Sequence, residues 1–225
     1  MMAVQERLGM SGSSKIITAL IVDDHPVVRT AVEMLLTREN IEVVGKVADG
    51  ADALQMMRNL QPDLVILDIA IPTINGLEVI TRARAAGMAV KILVFTSQSA
   101  ASFAGRCRRA GASGFVEKTE TLEDLLDAIR AVRAGYTFFP AEDFPQFETS
   151  QASSHTESEK LATLTDREMM VLIYLAKGYS NIEIANELTL SNKTISTYKT
   201  RLLTKLGVKT LVDLIVIANR NNLVD

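Results

Sequence analysis

The chain has a single cysteine, Cys107, so no intrachain disulfide can staple it, and no charged-then-apolar leader opens it; a reducing cytoplasm is the expected compartment. Its apolar runs stop at strand length, well short of the ~18 residues of a membrane span, which points to a soluble protein with no membrane partner. A net charge of −3 singles out no strongly basic or acidic partner. Charge bias exists only locally. Residues 1–140 carry 15 Lys+Arg against 16 Asp+Glu, residues 141–162 carry 1 against 5, and residues 163–225 carry 8 against 6.

With 225 residues, 48% of them apolar, the chain can build two small cores. Residues 1–14 show no hydrophobic period and read as a floppy tail. The acidic stretch at 139–162 holds its aromatics early and then only polar and small residues, the composition of a linker. Those segments leave one domain at 15–138 and another at 163–225.

The first domain alternates short runs rich in Ile, Val and Leu, at 16–22, 41–47, 63–67, 91–95 and 113–116, with longer stretches whose apolar residues recur at helical spacing. Strands alternating with helices predict an α/β fold with a doubly wound, five-stranded parallel sheet, and continuous hydrophobicity fits strands covered on both faces. In such a sheet, function gathers at the carboxyl ends of the strands. There the sequence places Asp23 and Asp24 after strand 1, Asp68 after strand 3, Thr96 at the end of strand 4 and Lys118 after strand 5. Three carboxylates, a hydroxyl and an ammonium on one edge suit a hard dication such as Mg2+. Taken singly, each has a plainer reading: Asp24 as a helix N-cap before Pro26, Lys118 as a solvated lysine, Thr96 as a strand-end hydroxyl. His25 reads as a loop residue, since oxygen-rich sites do not select metals that prefer imidazole.

With D-I-A-I-P at 68–72, Gly76, T-S at 96–97 and G-A-S-G-F-V-E-K at 111–118, the domain resembles the receiver domain of two-component response regulators, in its flavodoxin-like form. Ile71 stands where that family usually has Met, a volume-conserving change. The resemblance implies that Asp68 is the phosphoacceptor and that Asp23, Asp24, Asp68 and a backbone carbonyl at Ala70 hold Mg2+. It further implies that Lys118 pairs with the phosphoryl group and that Thr96 and Phe115 form a switch pair. A carboxylate is a competent nucleophile for phosphoryl transfer, and the remaining catalysis is positioning and charge neutralisation.

The second domain announces its helix starts. T-D-R-E (165–168) and S-N-I-E (180–183) are capping boxes, T-L-V-D (210–213) is close to one, and Ser191 can cap a further helix. Four short helices are expected at about 166–177, 181–189, 192–206 and 210–221, with no strand. The third has an apolar stripe of Ile195, Tyr198, Leu202 and Leu206 and otherwise cations and hydroxyls, with no acid. That composition fits a solvated face and a surface for phosphates and base edges equally well. The pieces L-T-D-R-E, S-N-I-E-I-A, L-S-N-K-T and K-L resemble the LuxR-type helix-turn-helix of NarL/FixJ response regulators, nearest in wording to the BvgA/EvgA branch. By that resemblance the third helix enters a DNA major groove and a homodimer reads half-sites ~10 bp apart. Ser196, Thr197 and Thr200 would face bases, with Thr194 beside them, and Lys193, Lys199, Arg201 and Lys205 would hold phosphates. The fourth helix, with Leu211, Leu214, Ile215 and Ala218 on one side, would pack internally or join the dimer.

The sequence thus predicts a regulator that receives a phosphoryl group from a sensor histidine kinase or phosphotransfer protein, binds a double-stranded operator, and is a switch that dephosphorylates itself rather than a metabolic enzyme. One alternative keeps DNA binding and makes the first domain an unphosphorylated dimerisation module. Another is a Mg2+-dependent phosphatase, although such enzymes usually carry D-x-D after the first strand, where this chain has adjacent acids.

Overall fold

The structure, a computed structural model, describes residues 16–119, 121–140, 157–221, 223 and 224. The expected tail at 1–14 and most of the expected linker lie outside the described residues.

The first domain runs β1 (Ile17–Val22), α1 (Pro26–Arg38), β2 (Ile41–Val47), α2 (Gly50–Leu60), β3 (Leu64–Leu67), α3 (Gly76–Ala85), β4 (Lys91–Thr96), α4 (Ala100–Ala110), β5 (Gly114–Glu117) and α5 (Leu122–Arg133). Every strand pairing is parallel, in the order β2-β1-β3-β4-β5. Residue parity along the strands explains why the runs are continuously apolar. Leu20, Val22, Val65, Leu67, Ile92, Val94 and Phe115 point to the face covered by α2, α3 and α4. Ala19, Ile21, Leu64, Ile66, Leu93, Phe95 and Val116 point to the face covered by α1 and α5. Successive side chains alternate faces, so a strand buried on both sides has no polar position to spare.

The second domain comprises α6 (Glu157–Ala162), α7 (Asp166–Ala176), α8 (Asn181–Glu187), α9 (Asn192–Leu206) and α10 (Leu211–Arg220). Complete capping boxes open α7, α8 and α10, and Ser191 caps α9 by accepting from the Thr194 N–H. Helix α6 was not expected; the end of the stretch read as linker is helical. Its acids lie in the first turn and Lys160 in the last, an order that suits the helix dipole. On α10, Leu214 and Ala218 of the expected side are buried and Leu211 packs half-buried against the core, with Ile217 rather than Ile215 completing the inward face; Val212 and Val216 are exposed one turn apart. Among the described residues no helix is long and apolar enough to cross a membrane.

Candidate functional site: an acidic pocket and a basic helix

Register brings the acids together. Val22 pairs with Leu67, so the residues that follow β1 and β3 leave the sheet side by side, with the Asp68 N–H donating to the Val22 carbonyl at 2.9 Å. Strand order does the rest, because β1 and β3 are neighbours from which the chain winds outward in opposite directions, the place where open α/β sheets leave a crevice. Oxygens of Asp23, Asp24 and Asp68 and a ring nitrogen of His25 lie within 4.8 Å of one another. Asp23 and Asp68 are buried, whereas Asp24 keeps about a third of its side chain exposed, at 31%.

Lys118 reaches this pocket from the end of β5. The Lys118 N–H donates to the Thr96 carbonyl at 2.7 Å, which anchors the residue behind the strand. Its Nζ lies 2.7 Å from Asp23 Oδ2 and 2.5 Å from Asp68 Oδ2. Burial pushes the Asp23 carboxyl above the usual range and the Asp68 charge adds to that, while Lys118 and the His25 N–H pull the other way. For Lys118, burial favours the neutral amine, but the two carboxylates together outweigh it and hold the ammonium above its ordinary value.

Asp24 is not a helix cap. The N-cap of α1 is His25, which makes no side-chain capping bond, and Asp23 rather than Asp24 accepts from the His25 N–H at 2.8 Å. Asp24 Oδ1 is buried and accepts no hydrogen bond, although His25 Nδ1 stands 2.7 Å away. Hard carboxylate oxygens clustered at a half-open pocket, one of them unsatisfied, form a donor set that fits Mg2+. Ala70 lies in the loop beyond Asp68, and its N–H donates to Asp68 Oδ1 at 3.2 Å. Thr96 is buried, its hydroxyl accepting from the Gln98 N–H at 3.3 Å, and Phe115 is buried in the core beside β4.

On α9, Ile195, Leu202 and Leu206 are buried and Tyr198 half-buried, so the apolar stripe faces inward as expected. Lys193, Ser196, Thr197, Thr200 and Arg201 are exposed, and Lys199 is half-buried. The hydroxyls of Ser196, Thr197 and Thr200 each donate to the carbonyl four residues earlier, and the Ser196 hydroxyl also accepts from the Asn181 side-chain amide at 3.3 Å. Thr194 is tied instead to the cap, its hydroxyl 2.8 Å from that of Ser191.

Two family models match the chain: the response regulator receiver domain over residues 19–130, and bacterial regulatory proteins of the luxR family over 162–218. BvgA, a transcription regulator of virulence factors from Bordetella pertussis, is 47% identical over 204 residues, spanning 91% of this chain and 97% of BvgA. The chain is a two-component response regulator of the NarL/FixJ family. The DNA-binding transcriptional activator EvgA of Escherichia coli K12 is 37% identical to this response regulator over 91% of the chain and 98% of EvgA. A solved structure of RcsB from Salmonella typhimurium superposes on it with a TM-score of 0.64 at 25% identity, over 92% of this chain and 98% of RcsB. RcsB bound to the rprA promoter in the presence of a phosphomimetic gives 0.52 at 26% identity, over 89% and 97%. The response regulator therefore carries a receiver domain and a LuxR-type DNA-binding domain, and the relatives are transcription regulators rather than metabolic enzymes.

Several contacts within the response regulator escaped the sequence reading. Lys205 Nζ lies 2.6 Å from Glu168 Oε2 and also donates to the Thr163 carbonyl, so its charge is committed inside the domain. Glu168 itself is buried, with 3% of its side chain exposed. The acid of a capping box that also fills a core position was the available signal. Arg29 donates to the Asp23 carbonyl at 2.5 Å and so braces the loop that carries the acids. Its place one turn into α1 was the only hint.

Proposed function

We propose that Asp68 accepts a phosphoryl group from a sensor histidine kinase or phosphotransfer protein, and that this modification controls operator binding by α9 in a homodimer. The observation that carries the reading is the Asp68 carboxylate, buried at the sheet edge with the Lys118 ammonium 2.5 Å away and the Asp23–Asp24 pair at the pocket mouth. Asp23, Asp24, Asp68 and the Ala70 carbonyl would hold Mg2+. When bound, the cation supplies charge neutralisation for the phosphoryl oxygens.

A carboxylate oxygen of Asp68 attacks phosphorus as the bond to the donor's nitrogen breaks; the leaving imidazole keeps the electron pair and takes up a proton, and an acyl phosphate remains. Lys118, held between Asp23 and Asp68, turns its ammonium to the new phosphoryl oxygens. These carry about −1.5 to −2 charge, which the Thr96 hydroxyl approaches while Phe115 repacks behind it. Attack of water on the acyl phosphate resets the switch. At the other end, Ser196, Thr197 and Thr200 read base edges while Lys193, Lys199 and Arg201 hold phosphates.

The test is incubation with a small acyl-phosphate donor and Mg2+, followed by intact mass and operator binding, for wild type and Asp68→Ala. Wild type should gain one phosphoryl group and bind operator more tightly, and Asp68→Ala should do neither. Equal tight binding by both, with or without donor, would favour a receiver that serves only as a dimerisation module.

A further inference from the structure

Asn181, the first residue of α8, and Ser196, in the second turn of α9, meet across the helix-turn-helix. The Asn181 side-chain amide donates to the Ser196 Oγ at 3.3 Å, and that hydroxyl donates in turn to the Asn192 carbonyl at 3.1 Å. Helix α8 does not need the amide at its own start, because Ser180 and Glu183 already close the capping box there. A hydroxyl has one hydrogen and two lone pairs. In Ser196 the hydrogen is taken by Asn192 and one lone pair by Asn181. A single lone pair is left, on a side chain that stays exposed.

Thr197 and Thr200 donate in the same way to the Lys193 and Ser196 carbonyls, through bonds inside α9. A bond within one helical turn is remade by rotation about χ1, so it holds the hydroxyl only loosely. Ser196 is held from two helices at once. Its rotor is therefore set before any ligand arrives, and little freedom remains to be lost on binding.

In the major groove the only base-edge donors are the exocyclic amines of adenine and cytosine; guanine presents acceptors, and thymine an acceptor and a methyl group. An acceptor pressed against another acceptor leaves both unpaired, at a larger cost than that of the missing bond. We infer that Asn181 sets the polarity of readout on α9, holding Ser196 as a hydrogen-bond acceptor that selects an adenine or cytosine amine on the strand it faces. The inference rests on the reading of α9 as the operator-binding helix. Asn181 is a positioning residue, which acts on the base through Ser196.

The experiment selects binders from a library of random-sequence duplexes with the full chain, untreated and treated with acetyl phosphate and Mg2+. Wild type, Asn181→Ala, Ser196→Ala and the double variant are compared. Wild type should enrich a site in which one position admits only adenine or cytosine on one strand. Ser196→Ala should lose the preference there, Asn181→Ala should weaken it, and the double variant should match Ser196→Ala, since Asn181 has nothing to orient once the hydroxyl is gone. In the enriched duplex, an adenine at that position is then replaced by purine, or a cytosine by pyrimidinone, each lacking the amine. Wild-type binding should weaken about fivefold, as for one lost hydrogen bond, and Ser196→Ala binding should not change.

If the position lost in Ser196→Ala admits guanine or thymine, the inference is overturned. Equal loss of affinity for every sequence in Asn181→Ala would make Asn181 a phosphate contact and overturn it as well, as would an unchanged preference. In each of these cases the DNA-binding reading stands. If no sequence is enriched under either condition, the operator reading of α9 fails and takes the inference with it. Asn181→Leu, similar in size and without the amide, decides the matter in the same way should Asn181→Ala fold poorly.

Discussion

Lys118 is wedged between two buried carboxylates, its Nζ 2.7 Å from Asp23 and 2.5 Å from Asp68. Replacing it with Ala leaves two like charges facing each other in a poorly solvated pocket. Breaking a buried pair in this way costs about 3 kcal/mol, limited here because the Asp23 carboxyl, already pushed up by burial, can take a proton. Lys118→Ala should therefore melt lower than wild type in EDTA and gain more from added Mg2+ than wild type does. Thermal unfolding with and without the cation checks this; an equal Mg2+ shift in both proteins would contradict the shared pocket.

The Glu168–Lys205 pair gives the DNA-binding domain an acid limb. Burial pushes the Glu168 carboxyl up, but bonds from Lys205 and the Thr165 N–H outweigh that and leave it below its ordinary value of 4.5. A carboxyl depressed on folding contributes stability that is present above 4.5 and disappears as pH falls from there through the folded value. Melting temperature should decline across that window in wild type and decline less in Glu168→Gln.

The same pair separates two lysines that sequence treats alike. Lys199→Ala should reduce the salt slope of operator binding by about 0.9, as expected for one lost phosphate contact. Lys205→Ala should leave the slope nearly unchanged and instead cost about 2 kcal/mol of stability, because Glu168 loses its partner. Titrations at several salt concentrations, paired with melting curves, distinguish the two outcomes.

Gly76 has no room for a side chain. A Cβ there would meet the Asp68 carbonyl oxygen at 2.3 Å and the Ile69 Cα at 2.8 Å, backbone atoms that cannot rotate aside. Gly76→Ala should cost about 2 kcal/mol and slow phosphoryl acceptance by moving the Asp68 loop. A melting curve like that of wild type would show that the loop yields at no cost.

Thr96→Val keeps the approximate shape of a buried side chain and removes its hydroxyl. The variant should still be phosphorylated at Asp68, yet phosphorylation should no longer tighten operator binding. Intact mass beside an operator titration reads both halves of that statement.

Much of this was written locally in the chain. Strand ends carry Asp23, Asp24, Asp68, Thr96 and Lys118 because residue order along an apolar run decides which residue leaves the sheet first, and the parallel sheet aligns those exits. Helix starts were legible for a similar reason. A capping box spans four residues, so Thr165–Glu168, Ser180–Glu183 and Thr210–Asp213 need nothing beyond their own turn. The sequence by itself therefore determined the alternation of elements, the members of the acidic pocket and the cationic, hydroxyl-rich character of α9. Tertiary structure alone decided where the long cationic side chains spend their charge. Lys205 turns to Glu168 37 residues earlier, Lys118 to Asp68 50 residues earlier, and Arg106 to Asp166 60 residues later. A flexible side chain with several possible acceptors takes the one that packing brings within reach. That choice depends on distances between elements, which no local pattern in the chain contains.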